Sequence, residues 1–213
     1  MTKTLLATAL LVALGVAHAD NAASPEQAAG KGADKVARGL LLQHQDRLIF
    51  SPCRDRSYTN VDDASAGGEV TAALRQFGLG DGKPLYIEVF GAAESGLLRI
   101  DGLNMAKRDA RCYAPRRSTG EWRAGAGNAW ALTLFEGGAT LQRSGQDDLA
   151  GSYEETLSTP TQAEIRITGA STVNVRLNRR SCRDNSTGDE RLYAWHAEVT
   201  TATGKLEGCA WRQ

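Results

Sequence analysis

Period-two alternation of apolar and polar side chains governs most of this chain. Leu85, Ile87 and Val89 alternate with Tyr86, Glu88 and Phe90, and Leu98 and Ile100 resume the pattern after a turn at Glu94-Ser95-Gly96. Successive strand residues face opposite ways, so this spacing predicts half-buried β-strands. Trp130, Leu132 and Leu134 likewise share a face, and Glu136-Gly137-Gly138 turns the chain toward a strand over Thr140 to Arg143. Ile165 and Ile167, then Val173, Val175 and Leu177, predict two more strands joined by a short Gly169 to Ser171 link. Tyr193, Trp195, Ala197 and Val199 form one face of the penultimate strand, which Thr203-Gly204 turns into the last, Lys205 to Trp211. One helix is predicted, between Glu69 and Gly78: Val70, Leu74 and Phe77 stand at helical spacing, Glu69 sits near the positive end of the dipole, and Gly78 and Gly80 suit the stop. The expected class is mainly β (α+β), mostly antiparallel, with one short helix early.

The N-terminus follows a different pattern. Met1-Thr2-Lys3 is a basic head, Leu5 to Val16 is apolar, and Ala17-His18-Ala19 ends in small residues, which predicts a cleaved signal peptide over 1–19 and a periplasmic protein beginning at Asp20. Residues 20–38 hold too little apolar surface to order themselves and are expected to be a tether. A Pro, Arg and Gly-rich stretch then divides the chain into an N-terminal domain at 39–114, a linker at 115–127 and a C-terminal domain at 128–213. No second apolar stretch approaches the roughly 20 residues of a membrane span, and the first cysteine, Cys53, lies too late to be lipidated after the signal. The chain carries 25 basic and 25 acidic side chains, and losing Lys3 with the signal leaves 24 against 25. That balance excludes a nonspecific binder of nucleic acid or anionic membrane.

Four cysteines, Cys53, Cys112, Cys182 and Cys209, are expected to be disulfide-paired in an oxidising compartment. They allow three pairings; two separate domains favour Cys53 with Cys112 and Cys182 with Cys209. A redox pair would want Cys-x-x-Cys, which is absent. His44 and His196 are the histidines of the mature chain, and no nucleophile or metal motif accompanies them. His44 reads as a surface residue and His196, opposite Trp195 on its strand, as solvent-facing or at a rim. Asp62-Asp63, Asp147-Asp148 and Glu154-Glu155 are adjacent pairs whose members point apart on an extended chain, so solvated loops explain them better than glycosidase or calcium chemistry. Arg183 and Asp184, beside Cys182, form a candidate recognition corner; the competing reading has Asp184 capping the Asn185 to Gly188 turn and Arg183 packing over Trp211. Trp122, Trp130, Trp195 and Trp211 read as core of the second half rather than a stacking platform.

Ser181-Cys182-Arg183-Asp184-Asn185-Ser186-Thr187-Gly188, with Leu206-Glu207-Gly208-Cys209-Ala210, resembles the C-terminal signature of a family of poorly characterised bacterial envelope proteins, many of them lipoproteins. Gly127-Asn128-Ala129-Trp130-Ala131-Leu132 is similar to a shortened Gly-Asn-Glu-Pro-Phe-Trp segment of that family. Phe50-Ser51-Pro52-Cys53, the helix and Pro84 to Gly91 are similar to its N-terminal half, itself distantly like the NlpE-like barrels of copper-resistance and envelope-stress lipoproteins. The C-terminal half resembles META/HslJ-like domains. The resemblance implies two small barrel-like domains in an envelope protein, and it carries no established activity. Oxidised cysteines and a lone mature methionine, Met105, argue against a copper site. No cofactor and no metal are expected. The reading is a non-enzymatic accessory protein that binds an envelope protein or cell-wall component; the alternative is an inhibitor of a secreted hydrolase such as lysozyme, offering Asp62-Asp63 or Asp147-Asp148 on a protruding acidic loop.

Overall fold

A computed structural model describes residues 36–55, 57–80, 82–113 and 122–213. The predicted signal peptide, the tether as far as residue 35 and linker residues 115–121 lie outside the described residues.

The chain is mostly β with one short helix, and each half closes on itself. In the first half, β1 (Val36–His44) pairs with β2 (Arg47–Pro52) and with β4 (Leu85–Glu94), all antiparallel. β2 pairs with β3 (Thr59–Asp63), β3 runs parallel to β5 (Leu97–Lys107), and β5 returns to β4, which completes a ring of five strands. A parallel pair needs a crossover, and α1 (Glu69–Phe77), with β4, supplies it. The predicted helix forms as its spacing requires: Val70, Leu74 and Phe77 are buried in one cluster with Leu41, Phe50, Ile87, Val89 and Ile100, and Gly78 ends it at φ 124°.

The second half is an antiparallel meander: β6 (Trp122–Ala126), β7 (Trp130–Phe135), β8 (Gly138–Arg143), β9 (Gln146–Ser158), β10 (Gln162–Gly169), β11 (Val173–Asp184), β12 (Arg191–Thr201) and β13 (Gly204–Trp211). β13 pairs back onto β6, closing eight strands into a barrel. An eight-stranded barrel is just wide enough for its side chains to fill it. Trp122, Trp130, Leu132, Leu134, Leu141, Ile165, Ile167, Val175, Leu177, Trp195 and Val199 are buried there, and Trp122 meets Trp195 edge to face at 5.1 Å.

The two rings are joined where β12 leaves the second barrel: Arg191, Leu192 and Tyr193 pair with Lys107, Ala106 and Met105 of β5. Buried side chains of both halves belong to one continuous cluster.

Several expectations meet a different structure. Strand β1 starts at Val36, inside the expected tether, because Val36 to Arg38 pair with Phe90 to Glu88. The end of the expected linker is strand β6, which β13 requires to close the barrel. The three acidic pairs lie in strands: Asp62-Asp63 in β3, Asp147-Asp148 and Glu154-Glu155 in β9. Tyr193 does not share the barrel interior with Trp195; as β12 diverges to reach β5, Tyr193 packs with Met105 and Cys209 and stacks on Trp211 at 4.8 Å.

Candidate functional site

The Arg183–Asp184 corner is already occupied by the molecule itself. Helix C-termini carry unpaired carbonyls and partial negative charge. At the end of α1, Arg183 Nη2 donates to the Gln76 carbonyl at 2.8 Å and Arg108 Nε donates to the Phe77 carbonyl at 2.9 Å. Both guanidiniums lie against the Phe77 ring, 5.1 Å away for Arg108 and 5.9 Å for Arg183, and both pair with Glu190. At the other end of the helix Arg179 pairs with Glu69 at 2.9 Å. The second barrel thus grips α1 by both ends. Asp184 accepts from the Ser186 backbone N–H at 3.0 Å and from its hydroxyl, so it caps the turn as one reading held. Arg183 packs toward Phe77 rather than Trp211, because Trp211 is stacked on Tyr193.

Both disulfides follow the pairing that two domains favour. Cys53–Cys112 ties the end of β2 to the segment after β5, and Cys182–Cys209 bridges β11 and β13 across β12. The segments that carry the family resemblance meet beside the second bridge. The Trp130 ring covers Gly208 and its Nε1 donates to the Glu207 carbonyl at 3.1 Å, while Gly127 at φ 52° lies against Ser186. Packing accounts for those residues.

Several titratable groups are used in the fold, though not all. His44 is exposed. His196 is not solvent-facing: its side chain is 13% exposed, with Glu198 and Glu207 each 4.0 Å away. Burial, aided by Arg180, depresses its pKa against the pull of those carboxylates. Asp63 turns in to cap α1, accepting from the backbone N–H of Thr71 at 2.7 Å and of Ser65 at 3.0 Å, while the Ser65 hydroxyl accepts from Val70 N–H at 3.1 Å. Burial pushes the Asp63 pKa up, but hydrogen bonds from Ser65 and Thr71 outweigh it and hold the carboxyl below its usual value. Tyr86 is raised by burial and by its 2.7 Å hydrogen bond to Glu88. Asn104, fully buried, clamps the Arg212 backbone through both amide atoms at 2.8 and 2.9 Å. Among the described residues no three His, Cys, Asp or Glu side chains converge as metal ligands.

What remains open is the outer face of the five-stranded ring, and strand register defines it. Leu42 of β1 stands beside Ile49 of β2, Ile49 beside Asn60 of β3, and Asn60 beside Leu97 of β5. Their neighbours Leu41, Phe50 and Leu98 are buried, so this row points outward. Leu42, Ile49 and Leu97 are half-buried and Asn60 is exposed. Tyr58, two residues before Asn60, is 75% exposed, more than any other large apolar side chain described. Two residues beyond Asn60, Asp62 faces Arg99 at 3.6 Å, and Arg99 also reaches Glu94 at 3.9 Å. A cross-strand row of three apolar side chains and one amide, with an aromatic ring on one side of Asn60 and ion-paired polar groups on the other, can hold an extended, amphipathic ligand. None of these side chains was singled out from the sequence except Asp62, because the row exists only across four strands.

No protein-family model, curated protein or solved structure matches this chain.

Proposed function

We propose that this protein is an exported, non-enzymatic binding module of the bacterial envelope that holds a cell-wall glycan on the outer face of its five-stranded barrel. The observation that carries the reading is the Leu42–Ile49–Asn60–Leu97 row with exposed Tyr58 beside it. An exposed ring stacks on the apolar face of a sugar, and Asn60, Asp62 and Arg99 supply donors and acceptors for hydroxyls. Two disulfides suit an oxidising compartment. Buried apolar side chains occupy the interior of each barrel, which directs recognition to the outside. The strand order β1-β2-β3-β5-β4 is that of OB-fold barrels, whose strand 2–3 face takes oligosaccharides and oligonucleotides. Asp62 and Glu94 on this face disfavour a phosphate backbone, which leaves the sugar. The acidic-loop inhibitor reading has less support, since Asp63 is spent on the helix and Asp148 accepts from Gln142.

Co-sedimentation of the mature protein with insoluble peptidoglycan tests this. Binding is expected, with affinity at least tenfold weaker in Tyr58→Ala; no binding, or equal binding by the variant, contradicts it.

A further inference from the structure

β9 outruns its neighbour. β8 pairs with it only between Gln146 and Ser152, and the Tyr153 N–H then bonds the turn carbonyl of Gly137 at 2.9 Å. From Glu154 to Ser158 β9 pairs with β10 alone, Thr156 being bulged out of register between Glu155 and Leu157, and among the described residues its other edge meets no strand. Such an edge presents unpaired N–H and C=O groups, a template for a further strand.

The notch where β8 would continue is bounded by the β7–β8 turn. Phe135, 44% exposed, and exposed Glu136 stand there; Leu157, 37% exposed, lies on β9 itself. Three large apolar side chains are exposed among the described residues, and two of them are here, on the barrel opposite in sequence to Tyr58.

Charge selects the occupant. Glu154 is in register with Arg166, on the outer face, and Glu155 with buried Ile165, so successive carboxylates lie on opposite faces of the edge. Arg166 reaches Glu154 at 3.3 Å. A second copy of this edge, paired antiparallel over Glu154–Ser158, would set Glu154 against Ser158 and Glu155 against Leu157, so self-association offers neither carboxylate an opposite charge. A strand carrying Lys or Arg on both faces would meet a carboxylate on each. We infer that the Glu154–Ser158 edge of β9 receives an extended, Lys- or Arg-rich segment of a partner protein by strand addition. Backbone hydrogen bonds hold the segment, Glu136, Glu154 and Glu155 select its charge, and Phe135 and Leu157 contact its apolar side chains. This site is separate from the glycan face and stands without it.

The test uses the full mature chain, isotope-labelled, with two synthetic octapeptide probes, a Lys-Lys-Thr-Val repeat, which places Lys on both faces of a strand, and the matching Glu-Glu-Thr-Val repeat. The basic peptide is expected to shift the amide resonances of Glu154 to Ser158 and slow their hydrogen exchange at least tenfold, and the acidic peptide to leave them unmoved. Glu136→Lys with Glu155→Lys, both at exposed positions, should reverse the preference by at least tenfold in each direction. Binding of neither peptide, equal binding of both, perturbations confined to another strand, or an unchanged preference in the double variant overturns the inference.

Discussion

A methyl group at position 208 would lie 2.2 Å from the Gly125 carbonyl oxygen and 2.8 Å from Cζ2 of Trp130. Neither the backbone nor the packed indole can withdraw, so Gly208→Ala is expected to cost about 2–3 kcal/mol in denaturant unfolding. Gly80→Ala, with nothing within 4 Å, should stay within about 0.5 kcal/mol. Asp63 makes a second prediction. Its carboxylate satisfies N–H groups that the cap residue Gly68 leaves open, so Asp63→Ala should lose about 1 kcal/mol at neutral pH. Because its pKa is lowered on folding, that contribution is present above the unfolded value near 3.8 and fades as pH falls through the folded value. The gap between wild type and Asp63→Ala should therefore close below about pH 4; a gap that persists at acid pH would contradict the capping role. Arg183→Ala should cost about 1 kcal/mol through the lost bond to Gln76 while leaving glycan affinity unchanged within about twofold, whereas a true recognition corner would lose binding. The sequence identified Arg183 and Asp184 as special residues. The turn cap of Asp184 was one of the readings the sequence offered, whereas the role of Arg183 was hidden because it depends on the end of α1, 107 positions away in the chain.

At the scale of elements, legibility followed periodicity. α1, β7, β10 and β11 were readable because one face of each is apolar and buried while the other is more exposed, and β4 and β5 were readable from their alternating ends although Leu85 to Ile87 and Gly102 to Ala106 are buried in succession. β9 was not, since only Leu149, Gly151 and Tyr153 are even partly covered and the rest of its thirteen residues are exposed. β3 was masked by Asp62-Asp63, one residue facing Arg99 and the other capping a helix. β6 was masked by Gly125, whose lack of a side chain lets the Trp130 backbone approach. The disulfides are elements too. Cys182 and Cys209 close a separation of 27 residues, worth about 3.6 kcal/mol on the chain-entropy model. Cys182→Ser with Cys209→Ser is expected to lower the melting temperature by about 10 °C in oxidised protein, and scanning calorimetry reads it directly. A change under about 2 °C would mean that the β11–β12–β13 corner holds without its bridge.

For the whole molecule, two barrels were legible in outline, and their union was not. The β5–β12 pairing, the grip on α1 and the Asn104 clamp on Arg212 join residues far apart in the chain, with no local pattern to announce them. The same is true of the candidate face, which takes one residue from each of four strands. The ligand is expected on that face, and amide chemical-shift mapping of the labelled mature protein with soluble muropeptide is the most direct test. Shifts concentrated at Leu42, Ile49, Tyr58, Asn60 and Arg99, absent in Tyr58→Ala, are the predicted result. Shifts centred on another surface, or none at millimolar ligand, would contradict it.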